Sequence, residues 1–208
     1  MKTGKFIVID GGEGAGKSTQ IKKLKEYFGD RVIITREPGG SPYADEIRKL
    51  ILNSSNAEQA DARTHFGLFW SARADHLKNT IRPALAKGVS VLSDRFDSST
   101  FAYQVYGQQA EELRDFFWEM RKFFLDGTVP DLYIYMGVDV KTGLARKKSQ
   151  GPAEINHFDE RKVEFHERMR EGMLEFFKHV PRCEVVDANL PEEEVFENLV
   201  SLLKKELL

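Results

Sequence analysis

Gly11-Gly12-Glu13-Gly14-Ala15-Gly16-Lys17-Ser18 follows the apolar run Phe6-Ile7-Val8-Ile9 and precedes Ile21, Leu24 and Phe28, which recur at helical spacing. Strand, glycine-rich turn and helix, in that order, are the context that the phosphate-binding pattern G-x-x-x-x-G-K-[ST] requires. The glycines let the backbone curl until several N–H groups point at one anion. The helix N-terminus adds unpaired donors and the positive end of its dipole. In that pattern Lys17 reaches the β- and γ-phosphates of a bound nucleoside triphosphate, and the Ser18 hydroxyl ligates Mg²⁺.

The totals agree with an ordinary globular chain and exclude several classes. The 208 residues suit one domain and can bury a core without staples. Apolar residues make up 41% and charged ones 31%, a globular balance. The net charge of −2 lacks the basic excess of a nucleic-acid-binding domain. The single cysteine, Cys183, excludes an internal disulfide and fits a reducing cytosol. The first residues carry neither a signal peptide nor a membrane span, so a cytoplasmic protein with no membrane partner is expected.

Five apolar runs read as buried parallel strands: Phe6–Ile9, Val32–Ile34, Val89–Leu92, Leu132–Met136 and Val185–Val186. Helical patterns separate them, the alternation of a layered α/β fold. Ser41-Pro42 starts a helix whose inner stripe is Ile47, Leu50 and Ile51. A long helical stretch runs from about Gln59 to Ile81 and is ended by Pro83. Another runs from about Glu111 to Leu125, and the last begins at Pro191 with three glutamates in its first turn. Arg146-Lys147-Lys148-Ser149-Gln150-Gly151-Pro152-Ala153 is basic and then broken by Gly-Pro. Beside a phosphate loop this reads as a lid that can move.

Other residues must decide what the loop serves. Asp94-Arg95 falls at the end of the third apolar run. Ligands of open α/β sheets bind beyond the carboxyl ends of the strands, so the pair should face the first loop. There Asp94 suits Mg²⁺ and Arg95 suits phosphate. Arg36-Glu37-Pro38-Gly39-Gly40 falls at a second such end. Phe69 and Arg73 share a helix face, where an aromatic plane and a guanidinium can hold base and phosphate of a small nucleotide. Phe66 and Leu77 lie on much the same stripe, which core packing alone would explain. The charge on Arg73 needs a buried or bound partner.

Taken together, Gly11 to Ser18, Thr35-Arg36-Glu37-Pro38-Gly39-Gly40, Phe69 with Arg73, Asp94-Arg95 and Ser98-Ser99-Thr100-Phe101-Ala102-Tyr103-Gln104 resemble the thymidylate kinases in order and spacing. Pro130-Asp131-Leu132 and Val186-Asp187-Ala188 extend the resemblance over essentially the whole chain. It implies a three-layer α/β/α P-loop fold with a five-stranded parallel sheet and a mobile lid at about residues 146–158. It implies ATP-dependent phosphorylation of dTMP to dTDP by a cytoplasmic homodimer that uses Mg²⁺.

The same resemblance assigns roles. Gly11, Gly12, Glu13, Gly14, Ala15, Gly16, Lys17, Ser18 and Thr19 would bind ATP with Arg146, and Ser18 and Asp94 would hold the metal. Phe69 would stack on thymine, with Glu37, Pro38, Arg48, Arg73, Ser99 and Thr100 around the base. Tyr103 and Gln104 would approach the sugar and disfavour ribonucleotides. Asp10 and Arg95 would handle the acceptor phosphate. Lys17, Arg95 and Arg146 would be catalytic. Glu13 and Ala15 stand where some members carry a basic residue, so the lid cations Arg146, Lys147 and Lys148 would supply that charge.

Two departures mark this chain. Asn156-His157 stands where many members have Asp-Arg, and Val105-Tyr106-Gly107-Gln108-Gln109 replaces an arginine-containing turn. Another nucleoside or nucleoside monophosphate kinase, or a nucleotide-dependent switch, shares the first loop. The second constellation argues against the switch.

Overall fold

The computed structural model describes residues 4–149, 151 and 156–207. Strands β1 (Phe6–Gly11), β2 (Val32–Arg36), β3 (Ser90–Asp94), β4 (Leu132–Gly137) and β5 (Cys183–Asp187) form one parallel sheet in the order β2-β3-β1-β4-β5. All five expected strands are present. Most run further toward the carboxyl edge than their apolar cores, because the ladder needs backbone groups and tolerates polar side chains there.

The unbroken apolar run of β1 is explained by its two buried faces. Ile7 and Ile9 pack with Ile21 and Leu24 of α1 (Lys17–Phe28) and with Leu199 and Leu203 of α9 (Glu192–Leu207). Phe6 and Val8 point the other way, toward Phe66 and Trp70 of α3 (Ala62–His76), Phe117 of α6 (Leu113–Leu125) and Phe176 of α8 (Val163–Lys178). Strand β4 repeats the alternation, with Leu132 and Ile134 on the first face and Tyr133 on the second. Each such fully buried aliphatic or aromatic side chain contributes about 1.5–3 kcal/mol.

Local chemistry corrects two expectations. In α2 (Pro42–Asn53) the buried stripe is Ala44, Ile47 and Ile51, whereas Leu50 is 57% exposed. Positions 44, 47 and 51 already fill one helix face, and 50 falls at its edge. Pro83 does not end its helical stretch. After α3 the backbone widens into a π turn, Leu77–Ile81, and continues into α4 (Arg82–Ala86). Pro83 then stands at the start of that short helix, where a missing N–H breaks no established bond. The front of α3 is set by Asp61, whose carboxylate accepts from the Thr64 N–H at 2.7 Å.

The segment after β3 forms α5 (Asp97–Thr100), which runs into a π-helical stretch, Phe101–Gly107. The basic residues Arg146, Lys147 and Lys148 occupy the last turn of α7 (Val140–Lys148) rather than a loop. Cations there are favoured by the helix dipole. Gln150, Pro152 and Ala153 of the expected lid lie outside the described residues. No helix among the described residues is long and apolar enough to cross a membrane.

Candidate active site

Register brings the site together. Ile9 of β1 and Arg36 of β2 both pair with Asp94 of β3, so β2 and β3 end at one level and β1 two residues beyond it. The loops that leave them line a single cavity of about 320 Å³. Its walls include residues 13–19 on one side and Glu37, Pro38, Arg48, Phe69 and Arg73 on the other. Asp94, Arg95, Ser99 and Tyr103 lie between.

The phosphate loop turns where the glycines require it. Gly14 and Gly16 have φ of 66° and 82°, the left-handed region that L side chains avoid. Lys17 opens α1, and its ammonium donates to the carbonyls of Gly11 at 2.9 Å and Gly12 at 2.8 Å. Burial, and then the nearby charge of Arg95, lower the Lys17 pKa, against the pull of Glu13, Asp94 and Asp10. Ser18 Oγ lies 3.4 Å from Asp94 Oδ2, and Asp94 Oδ1 is buried with no partner among the described residues. A hard cation beside these two oxygens would satisfy that acceptor.

Arg95 is held in the left-handed region, φ 67°, directly after β3. Its guanidinium donates to Glu13 at 2.6 Å, to Ser99 at 3.2 Å and to Asp10 at 3.4 Å. Tyr103 donates its hydroxyl to the same Glu13 oxygen, and its ring lies under Arg95. Burial alone would raise the Glu13 pKa, but Arg95 and Lys17 outweigh it and keep the carboxyl well below the usual range. Asp10 is fully buried and accepts from the hydroxyls of Ser98 and Ser99 and from the Gly11 N–H. Burial raises its pKa despite Arg95 and Lys17.

On the opposite wall Phe69 is 8% and Arg73 1% exposed. Arg73 donates to Glu37 Oε2 at 2.8 Å, to the Phe96 carbonyl at 3.0 Å and to Thr100 Oγ1 at 2.9 Å. It also lies over the rings of Trp70 and Phe96, at 4.6 and 5.0 Å. Arg48 donates to the Pro38 carbonyl at 2.7 Å, which ties α2 to the loop after β2.

Some expected residues stand behind the wall. Asp10, Gly11, Gly12 and Thr100 support residues that line the cavity without lining it themselves. Gln104 is buried, and its amide donates to Gln108 at 3.3 Å. Arg146 is turned away. It donates to the carbonyls of Ala188 at 2.7 Å and Asn189 at 3.5 Å, just past the end of edge strand β5. Its neighbour Lys147 faces the cavity instead, 3.8 Å from Asp159. Successive helix residues point about 100° apart, so the two cannot share one target.

The structure adds residues that sequence reasoning missed. Leu52, Phe96, Asn156 and Phe158 also line the cavity, beside the Arg36 already expected at a strand end. Asn156 donates to Asp159 from its amide and backbone nitrogens, at 2.7 and 2.9 Å. His157, the other half of the Asn156-His157 departure, donates to the Ile51 carbonyl at 3.0 Å and stacks on His65. Asp159 is pushed up to about 6, first by burial and then by the Glu13 charge. A polar cluster after a Gly-Pro break was the signal available for these residues, and it carries no distance information.

The sequence model of the thymidylate kinase family matches residues 9–199. A thymidylate kinase of Caulobacter vibrioides is 43% identical over 193 residues, covering 91% of this chain and 90% of the relative. Those of Clostridium novyi and Geobacillus thermodenitrificans are 36% and 39% identical over 210 residues, each covering 98% of this chain and 100% and 91% of the relative. The chain belongs to the thymidylate kinase family.

Proposed function

We propose that the chain transfers the γ-phosphoryl group of ATP to the phosphate of dTMP, giving ADP and dTDP. The observation that carries this reading is one cavity with two unlike walls, an anion-binding loop and an aromatic-and-guanidinium cleft. A nucleotide-dependent switch has no use for the second wall. An acceptor nucleotide with its base against Phe69 and Arg73 would direct its phosphate toward Arg95 and the loop.

The acceptor phosphate is already an anion, so no general base is called on. Catalysis then rests on position and on positive charge matched to the charge spread over the equatorial oxygens. Lys17, buried, and Arg95, half-buried, are the cations at the junction. Lys147 brings a third from α7 and takes the role expected of Arg146. Arg146, at the Ala188 and Asn189 carbonyls, is left for the nucleoside end of ATP. Glu13 and Tyr103 would meet the acceptor sugar.

Ser18 and Asp94 would hold Mg²⁺, and the unpartnered Asp94 oxygen fits a cation. Among the described residues no group of three or more acidic, histidine or cysteine side chains could hold a metal, so phosphate oxygens and water would complete the shell. When bound, the ion neutralises phosphate charge. The chain acts as a single domain with a lid at residues 146–158 that closes over ATP and excludes water. It works in the cytoplasm as a homodimer, a reading supported by Phe116 and Phe123 of α6, 46% and 76% exposed.

The deciding experiment is a coupled assay of ADP release with ATP and Mg²⁺ across dTMP, dUMP, dGMP, CMP and thymidine. Fast turnover is expected with dTMP and slow hydrolysis without an acceptor. A preference for another acceptor, or acceptor-independent hydrolysis, would overturn the assignment.

A further inference from the structure

Arg73 Nη1 is buried and has no partner among the described residues, although Arg73 lines the cavity. Its remaining nitrogens are fixed, chiefly by Glu37. Glu37 is held in turn. Its Oε1 lies 3.0 Å from Nδ1 of His76, a ring with no solvent exposure that does not line the cavity. A carboxylate only accepts, so Nδ1 carries the proton. In the neutral ring Nε2 then accepts from Thr35 Oγ1, 2.6 Å away. The backbone is shaped around this ring. Gly40 has φ +87°, and a Cβ there would lie 2.4 Å from both His76 Nε2 and Thr35 Oγ1.

We propose that His76 is a positioning residue for the acceptor nucleotide. The chain Thr35–His76–Glu37–Arg73 locks the Glu37 carboxylate, which fixes the guanidinium plane so that Nη1 points at an oxygen of the acceptor. Glu37 with only one oxygen anchored would pivot, and Arg73 would pivot with it. No contact in the relay touches the phosphate loop, so ATP binding and the transfer step stand apart from it. The inference rests on the acceptor reading of this cavity wall.

The test is steady-state kinetics of His76→Leu, His76→Asn and Thr35→Val, with a melting curve for each. His76→Leu is expected to raise the KM for dTMP about tenfold or more, as for a lost charge-assisted buried hydrogen bond, with kcat and the KM for ATP within about threefold. His76→Asn, whose amide N–H stands near the position of Nδ1, is expected to recover most of that loss. A folded His76→Leu with an unchanged KM for dTMP, a KM for ATP that moves equally, or an Asn variant no better than Leu would each overturn the proposal. Should His76→Leu fail to fold, Thr35→Val decides. It is expected to raise the KM for dTMP about threefold with that for ATP unchanged, as for one weakened neutral hydrogen bond, and an unchanged KM for dTMP overturns the proposal. Wild-type protein in the same assay separates the two claims. Absent dTMP turnover defeats the acceptor reading, whereas normal turnover with indifferent variants defeats only the role of His76.

Discussion

Gly14 and Gly143 meet backbone to backbone. A Cβ on Gly14 would lie 1.9 Å from the Gly143 carbonyl oxygen, and one on Gly143 would lie 2.2 Å from the Glu13 carbonyl oxygen. This contact seats α7 directly on the phosphate loop and so fixes where Lys147, four residues later, enters the cavity.

The first prediction follows from that seat. Gly143→Ala must push α7 off the loop, because the Glu13 oxygen that its Cβ would meet at 2.2 Å is backbone. Turnover should fall about tenfold or more, the scale of a small misplacement of a catalytic cation. The KM for dTMP should move far less, since the acceptor wall is untouched. A kcat within twofold of wild type would contradict the packing argument.

The two neighbouring cations of α7 should behave differently. Lys147→Ala removes the side chain that faces the cavity and should lower kcat by about 10³-fold or more, the range for a positioned cation in phosphoryl transfer. Arg146→Ala removes a guanidinium engaged with carbonyls past β5 and should raise the KM for ATP while costing kcat much less. Single-turnover rates at saturating ATP separate the two effects, and the reverse ranking would restore Arg146 to the transfer step.

Phe69→Ala should raise the KM for dTMP about tenfold, the loss of a stacking plane and its buried area, with the KM for ATP within about twofold. Equal effects on both nucleotides would rule out base stacking as its role.

Asp159 and Glu13 give the unliganded protein a pH signature. Asp159 is pushed up to about 6 from an ordinary 3.8, so between these values the folded state binds the extra proton. Its contribution to stability is therefore fully present below pH 4 and is lost as the pH rises through 6. Glu13 is depressed and acts in the opposite sense, its contribution lost as the pH falls below its ordinary 4.5. From pH 5 to 7.5 Asp159 is the one of these two carboxyls that operates, and the lowered His65 and His166 cancel when a variant of Asp159 is compared with wild type. The melting temperature of Asp159→Asn relative to wild type should rise across that window by about 2–4 °C for each kcal/mol recovered. Parallel melting curves would show that neither burial nor the Glu13 charge raises Asp159.

Much of this was legible in the chain because the informative residues were local. An unbroken apolar run, a glycine-rich turn and Ile21, Leu24 and Phe28 at helical spacing specify β1, the loop and α1 without reference to anything distant. Phe69 and Arg73 were legible for a related reason, since a charge on an apolar stripe demands a partner. What was illegible depended on distance. Nothing local says that His76 meets Thr35 and Glu37, or that Asp159 meets Glu13. Gly143 announced itself only as a glycine inside a helical run, a mark of close packing that names no partner. Arg146 and Lys147 look alike in sequence, and only the rotation of α7 against β5 tells them apart. Pro83 misled because a π turn just before it gives a proline a fresh helix start.

Two nucleotides that meet end to end in one cavity can be replaced there by a single ligand that joins them. Calorimetric titration with adenosine and thymidine linked 5′ to 5′ through five phosphates should show one site per chain. It should bind about 10²-fold or more tighter than ATP or dTMP alone, because tethering supplies the second ligand at high effective concentration. Affinity no better than that of ATP, or undiminished binding of free dTMP once the compound is bound, would place the two sites apart and contradict the account.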